Sequence, residues 1–223
     1  MIILALDAST EACSVAIWTD GAVVERFETG AQHSGRILAM VDELLAETGF
    51  ALTRFDAIAF GRGPGSFTGL RIGAGVAQGL AFGADIPVAP VSSLAALAQG
   101  VDAARVLAAF DARMNQVYSG AYARNAQGIV ELAGSESVTN AADVPLPEGN
   151  DWVGAGNGWD LHHAALLARL GERVTSWSKQ VYPHARDVAR LGAAIVQAGR
   201  AVPAEMALPV YVRDEVAVKQ VKS

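Results

Sequence analysis

The run of strands that opens the chain recurs in its second half. Each copy has three strand-like segments joined by short turns: residues 2–6, 12–18 and 22–28 in the first, and residues 105–110, 116–124 and 129–133 in the second. An aspartate directly follows the first segment in both copies, Asp7 in one and Asp111 in the other. A glycine-rich loop comes later in each copy, at residues 61–65 and 154–158. This self-similarity predicts an internal duplication, and therefore two lobes that are built alike.

Helical patterns alternate with further strands after each opening hairpin. Apolar residues recur at helical spacing in five stretches: His33–Thr48 and residues 69–83, 92–99, 159–170 and 184–199. Residues 55–60 and 86–90 add two strands to the first copy, and the polar residues 140–151 form a loop in the second. The repeated order predicts an α/β protein with lobes at residues 1–100 and 101–223. Two such lobes, each with an aspartate after its first strand, resemble the actin-like ATPase superfold.

Residues 61–73 are a glycine-rich loop that runs directly into a helix. A proline–glycine pair favours a turn before Thr68, which can cap the helix. The helix then carries Gly75, Gly79 and Gly83 at intervals of four residues, which places them on one face. Each interior glycine costs roughly 1 kcal/mol relative to alanine. We therefore expect another element or another molecule to pack very close to this helix.

The overall composition narrows the function classes. A net charge of −6 in 223 residues argues against nucleic acid binding by the chain alone, because phosphate binding needs a basic face. The single cysteine, Cys13, excludes an internal disulfide framework, and we expect it in the core. No basic segment precedes the apolar first strand, and no apolar stretch is long enough to span a bilayer. We expect a cytoplasmic protein with no membrane partner.

Two turns and one loop are the weak candidates for a phosphate or nucleotide site. Their residues are Asp7, Ser9 and Thr10 in the first turn, Asp111 in the second, and Gly63 and Gly65 in the loop before a helix N-terminus. Against this hypothesis, Ser9 stands where such turns usually carry glycine, and the loop lacks the ending of a P-loop. The alternative is a hydrogen-bonded turn followed by a tight glycine turn.

The residues with catalytic chemistry form no complete active site in the sequence. Four histidines, His33, His162, His163 and His184, show no metal-ligand spacing, so we predict no metal site. Ser66 follows Gly65 but lacks the motif of a nucleophile elbow, because Phe67 and Thr68 come next. We therefore predict no catalytic residues.

Short motifs distributed along the whole chain point to one family. They are residues 3–16 (ILALDASTEACSVA), 32–38 (QHSGRIL), 63–73 (GPGSFTGLRIG), 90–94 (PVSSL), 111–113 (DAR) and 209–213 (PVYVR). In combination these motifs resemble the bacterial TsaB (YeaZ) family.

The resemblance implies a non-catalytic subunit of the machinery that makes threonylcarbamoyladenosine (t6A) next to the anticodon of tRNA. Its implied partners are a TsaD-like catalytic paralogue, a TsaE-like ATPase and a second copy of itself, with tRNA reached only through the complex. No cofactor belongs to the chain, because ATP belongs to the complex. The two-histidine metal motif of TsaD-like proteins is replaced here by Ser93 and Leu97 or their neighbours.

The resemblance also implies that the first two helices form the partner interface. The interface residues expected on this basis are Ile37, Met40, Val41, Leu44, Arg71, Gly75 and Gly79. The alternative is that both helices only pack on their own sheet and on each other. Two other functions stay open at this point: an independent actin-like kinase and a metal-dependent peptidase.

Overall fold

The computed structural model describes residues 1–30 and 33–212. For residues 33 and 34 it describes the backbone only. The first half of the chain contains β1 (Ile2–Asp7), β2 (Ala12–Thr19), β3 (Ala22–Thr29), α1 (His33–Thr48), β4 (Ala57–Gly63), α2 (Phe67–Ala84), β5 (Val88–Ser92) and α3 (Ser93–Gln99). The second half contains β6 (Arg105–Asp111), β7 (Gln116–Arg124), β8 (Val130–Leu132), β9 (Ser137–Asn140), β10 (Trp152–Ala155), α4 (Asn157–Leu170), β11 (Val174–Ser178) and α5 (Ala185–Gln197).

The two sheets have the same topology. The first has the strand order β3-β2-β1-β4-β5, and the second has the order β11-β10-β6-β7-β8 with β9 also pairing with β7. In each sheet the first strand is antiparallel to the second and parallel to the strand that runs into the glycine-rich loop. The repeated strand order confirms the prediction of an α/β protein with two similar lobes.

The C-terminal helix does not stay with the second sheet. Helix α5 packs on β1, β2, β4 and β5 of the first sheet. Its start is tied there by a hydrogen bond from the Ala185 amide to Ser14 Oγ of 2.8 Å. The helix comes so close to β4 that a Cβ at Gly192 would lie 2.5 Å from the Ala59 side chain. The predicted boundary between residues 100 and 101 is therefore wrong for α5, because burial of its apolar face needs the first sheet.

The residues after α5 also return to the first lobe. Val202 and Val88 exchange backbone hydrogen bonds of 2.8 and 2.9 Å. Ala204 and Ala207 are buried in the core that α1 and α2 share with the first sheet. Conversely, α3 packs against β6, β7 and β8 of the second sheet as well as against α5. The two lobes therefore share one central core, with α3 and α5 between the sheets.

Serine side chains start two of the helices. Ser66 Oγ accepts a hydrogen bond of 3.4 Å from the Gly69 amide and is the N-cap of α2. The prediction of Thr68 as the cap is wrong, because the helix begins at Phe67. Ser92 caps α3 in the same way, with 3.2 Å between its Oγ and the Ala95 amide nitrogen.

Candidate functional site

A cleft of about 1410 Å³ separates the two lobes at the carboxyl ends of β1 and β6. The starts of α2 and α4 also line it, one from each lobe. Of the residues predicted for a phosphate site, Ser9, Thr10, Gly65 and Asp111 line this cleft, whereas Asp7 and Gly63 do not. The duplicated topology therefore brings both first turns to one cleft, as the sequence pattern suggests.

The first turn closes inward. Asp7 Oδ1 accepts hydrogen bonds from the Ser9 amide (2.9 Å) and from the Ser9 hydroxyl (2.8 Å). Asp7 is 1% exposed, and among the described residues its Oδ2 has no hydrogen-bond partner. Burial raises the pKa of Asp7 to about 6, although the two hydrogen bonds from Ser9 oppose the rise. This geometry supports the hydrogen-bonded turn and gives no support to a nucleotide site.

The glycines of the following loop serve close packing. A Cβ at Gly65 or Gly69 would collide with the backbone carbonyls of Ser9 and Ala8. The Ser66 amide, which an anion would need, donates to the Ser9 carbonyl instead at 2.7 Å. The Gly63 amide likewise donates to Ser93 Oγ at 3.1 Å. These two amides already have acceptors inside the protein, so neither is available to a phosphate.

The second turn contains a contact that sequence reasoning missed. Asp111 Oδ1 lies 3.1 Å from His162 Nε2 and accepts from the Arg113 amide at 3.2 Å. The Asp111 amide donates to Asn157 Oδ1 at 2.9 Å. His162 reaches the aspartate because it interrupts α4 with non-helical torsions of φ −122° and ψ 15°. The duplication could have pointed to Asn157 at the helix start, but no sequence signal marks the kink.

A left-handed turn follows Asp111. Arg113, Met114 and Asn115 have φ values of 63°, 54° and 61°. For side chains other than glycine this conformation costs roughly 1–2 kcal/mol per residue. The closing backbone hydrogen bond from Ala112 to Gln116 is 2.9 Å long. Met114 is 81% exposed at the tip of this turn, beside the cleft.

Polar contacts join the lobes at two further places. Asn157 Nδ2 donates to Glu11 Oε2 at 3.4 Å at the cleft. At the start of α3, Glu136 accepts hydrogen bonds from the hydroxyl groups of Ser92 and Tyr122. Burial, and then the neighbouring Glu136, raise the pKa of Tyr122 well above its ordinary value. The tyrosine therefore stays protonated and donates to Glu136 within the second lobe, while Ser92 donates to the same carboxylate from the first lobe.

The α1 residues predicted for a partner interface lie in the core instead. Ile37, Met40, Val41 and Leu44 are between 0% and 1% exposed. They pack in one cluster with the first sheet and α2. The prediction is wrong for these four side chains, because the wide apolar face of α1 is used by the sheet and by the neighbouring helix.

The α2 residues of the same prediction lie at the surface. Arg71, Gly75 and Gly79 are exposed, and so is Gly83 one turn further along. A Cβ at any of the three glycines would have no neighbour within 4 Å. Nothing within the described part of the chain therefore requires glycine on this face of α2.

The remaining predicted chemistry is scattered. Cys13 is buried in the core as predicted, and burial raises the pKa of its thiol. His163 stacks on Trp177, and His184 contacts Glu25. Over residues 1–30 and 33–212, no three His, Cys, Asp or Glu side chains are placed to share a metal ion. In the same residues no helix combines the length and the apolar character that crossing a membrane requires.

Comparison with known proteins identifies the family of this chain. The model of the family TsaD, described as tRNA N6-adenosine threonylcarbamoyltransferase, matches residues 27–220. The tRNA threonylcarbamoyladenosine biosynthesis protein TsaB of Escherichia coli K12 is 43% identical over 99% of this chain and 98% of that protein. The chain belongs to the TsaB family. TsaB of Haemophilus influenzae is 57% identical over 53% of this chain and 52% of its own.

Solved structures agree with this assignment to TsaB. The chain is similar to YeaZ from Pseudomonas aeruginosa, with 47% sequence identity and a TM-score of 0.87. The match covers 94% of this chain and 99% of that one. The resemblance inferred from the short motifs is thus confirmed.

Two of the TsaB motifs meet in space although they are far apart in sequence. The Val210 amide donates to the Arg62 carbonyl at 2.8 Å. A Cβ at Gly63 would lie 2.7 Å from the Val210 carbonyl oxygen, which explains glycine at that position. Residues 208–212 therefore run beside the start of α2. Arg213, Gln32 and the side chains of His33 and Ser34, also in these motifs, lie outside the description.

Proposed function

We propose that the chain is a non-catalytic subunit of the assembly that makes t6A in tRNA, and that it acts by pairing with a TsaD-type catalytic paralogue through the outer face of α2. Membership in the TsaB family supports the pathway. The placement of Gly75 and Gly79 supports the mode of action.

The exposed glycines of α2 are the observation that carries this proposal. Gly75 and Gly79, in the interior of the helix, together cost roughly 2 kcal/mol of helix stability relative to alanine. No contact within the described chain offsets that cost, because their Cβ positions face open space. A helix of a partner can approach a glycine row more closely than any other surface, and the packing it gains there offsets the cost. The exposed Leu38 of α1 and Phe82 of α2 add apolar area to the helix pair.

The absence of activity in the isolated subunit is part of the proposal. The inward turn of Asp7 and the occupied amides of Gly63 and Ser66 support this, because none of these groups is available to a nucleotide. ATP is therefore handled by a TsaE-like ATPase, and the transfer is catalysed by the TsaD-type paralogue. A homodimer would use the same α2 face. The net charge of −6 implies that tRNA is contacted through the complex, in the cytoplasm.

Substitution of Gly79 by leucine tests the proposal. The variant should fold with a melting temperature at or above the normal value, because leucine is the better helix former and its side chain faces open space. Binding to the purified TsaD-type paralogue should weaken by roughly 10-fold or more, since overpacking costs about 1–3 kcal/mol. Calorimetric affinity and t6A formation in the reconstituted system measure the loss.

Ala168→Leu is the matched control, because Ala168 is also exposed, on α4 of the second lobe. It should bind the paralogue normally. Normal binding by the Gly79 variant would contradict the proposed interface.

A further inference from the structure

Arg71 sits in an aromatic clamp at the start of α2. The central carbon of its guanidinium lies 3.3 Å from the centre of the Phe67 ring and 5.4 Å from that of Tyr211. The two rings are 5.8 Å apart and tilted by 39°. Phe67 is 61% exposed and Tyr211 43% exposed, so the clamp is a surface feature. Stacking of this kind fixes the orientation of the guanidinium plane.

The clamp holds a cation that has no counter-ion within the described residues. Two half-buried arginines of β3 and α1 are paired, Arg26 with Glu43 and Glu47, and Arg36 with Glu28. Arg71 makes neither an ion pair nor a hydrogen bond to any residue in the described ranges. It also lies towards the N-terminal end of α2, where the helix dipole does not favour a positive charge. Neither helix stability nor a local ion pair explains this residue.

Arg71 lies on the same face of α2 as the row of exposed glycines. Arg71, Gly75 and Gly79 are spaced by four residues and are exposed on adjoining turns of one face. A helix seated on the glycines would pass directly beside the guanidinium. The Phe67 ring covers one face of the guanidinium, and Tyr211 lies to one side of it, since the two ring centres are only 5.8 Å apart. The N–H groups that point away from Tyr211 can donate in the plane. A carboxylate is the acceptor that matches two parallel N–H donors.

We infer that Arg71 binds a carboxylate side chain on the partner helix that packs against the glycine row of α2. The inference rests on the proposed function, since it names the chemistry that the TsaD-type partner presents at that surface. The clamp orders the long arginine side chain before the partner arrives, so less conformational freedom is lost on binding. A desolvated pair of this geometry sets the register of the two helices.

Residues 209–212 help to hold the Arg71 side chain in place. Tyr211 reaches the clamp because Val210 is fixed to the carbonyl of Arg62 and lies against Gly63. Residues 209–212 make this contact from the far end of the sequence. The orientation of Arg71 therefore depends on a segment that contributes no element of the sheet, and loss of the tyrosine should weaken partner binding even though the charge of Arg71 remains.

The test measures the affinity of the purified TsaD-type paralogue for four variants of the full chain at two or more salt concentrations. Arg71→Gln should weaken binding by roughly 10- to 100-fold, because charge-assisted hydrogen bonds to a carboxylate are lost. It should also lower the salt dependence of the affinity. Arg71→Lys should restore only part of the loss, and Tyr211→Leu should fall between the lysine variant and the normal chain. Arg200→Gln removes an exposed arginine elsewhere and should bind normally.

A double-mutant cycle identifies the acceptor. Each Asp and Glu on the paralogue's interface helices is changed to Asn or Gln, and one such change should weaken binding to the normal chain but add nothing to the effect of Arg71→Gln. Normal binding by Arg71→Gln, while Gly79→Leu loses binding, would overturn the carboxylate contact and leave the proposed function intact. Full rescue by lysine would overturn the clamp. A normal chain that fails to bind the paralogue would overturn both proposals.

Discussion

The outer faces of the two lobes are covered in different ways. In the first lobe α1 and α2 pack side by side on the sheet, and α1 fills the space with Ile37, Met40 and Leu44. In the second lobe no α-helix stands between β8 and β10, and α4 is joined on that face by the irregular residues 144–148. A cavity of about 490 Å³ remains there, with small residues such as Ala109, Ser119 and Ala121 in its lining.

The difference between the two lobes shows which features of the duplicated chain serve folding and which serve assembly. Both copies conserve the strand order, which the sheet needs. Within residues 1–30 and 33–212, only the first copy has a pair of helices packed side by side on its outer face, and α2 of that pair carries an exposed row of glycines. We infer that the first lobe has been shaped for a partner, whereas the second lobe closes the fold with looser packing.

The turns after the first strands differ in a related way. Asp7 is buried and bonded to its own turn, whereas Asp111 lies at the cleft beside His162. One copy of the turn therefore stabilises the local backbone, and the other contacts the first two turns of the kinked helix α4. Equivalent positions in a duplication need not keep equivalent roles.

The largest effect is expected from a substitution that disrupts the packing of the first lobe. Met40→Glu should destabilise the protein by more than about 4 kcal/mol and prevent stable folding, since the side chain is 0% exposed and a buried charge would have no partner. Circular dichroism and thermal melting measure this. Leu38→Glu, two residues earlier and 50% exposed, is the control and should leave the fold intact. If the Met40 variant melts normally but no longer binds the partner, this face of α1 belongs to the partner interface and not to the core.

The second prediction uses pH to compare the buried turn with the rest of the molecule. The pKa of Asp7 is raised from 3.8 to about 6 on folding, so between these values the folded state binds more protons than the unfolded state. The stability contributed by protonated Asp7 is therefore present below pH 3.8 and lost as the pH rises to about 6. Asp7→Asn should remove this loss and stabilise the protein above pH 7 by up to about 3 kcal/mol, with little change near pH 4.

Asp187 has to be considered in the same experiment. Burial raises its pKa to about 6 as well, with the same sign. Denaturant unfolding at several pH values should show a shallower pH dependence in Asp7→Asn and the shallowest in the double variant with Asp187→Asn. An Asp7 variant with unchanged pH dependence would mean that Oδ2 is solvated in solution.

The smallest effect is expected from a substitution that fills the cavity of the second lobe. Ala121→Val adds two methyl groups from β7 into the space beside residues 144–148 and suits a strand. It should raise the stability by roughly 0.5–1 kcal/mol without any effect on partner binding. Thermal melting measures the gain, with Ala16→Val as a contrast in the tightly packed first sheet, where the side chain is 0% exposed. Destabilisation in both places would mean that the cavity has no room for the added groups.

Local periodicity sufficed for much of the fold. Helix α1 has the predicted limits, and strand β7 does too, because each has a complete apolar pattern and clear turn residues at its ends. Repetition of those patterns was enough to predict two similar lobes. The candidate site was predicted only in part, since the positions of Ser9, Thr10, Gly65 and Asp111 follow from topology, but the direction in which Asp7 turns does not.

By itself the sequence determined the α/β class, the duplication and the glycine row of α2, because these depend on residue order and on backbone preferences that act over a few positions. Only the tertiary structure decided that the apolar face of α1 is buried, that α5 belongs to the first sheet, and that Arg71, Phe67 and Tyr211 meet. A helical pattern shows that a face is apolar but not what covers it. Contacts between distant segments depend on how the chain returns, and that is set by the burial of the whole core.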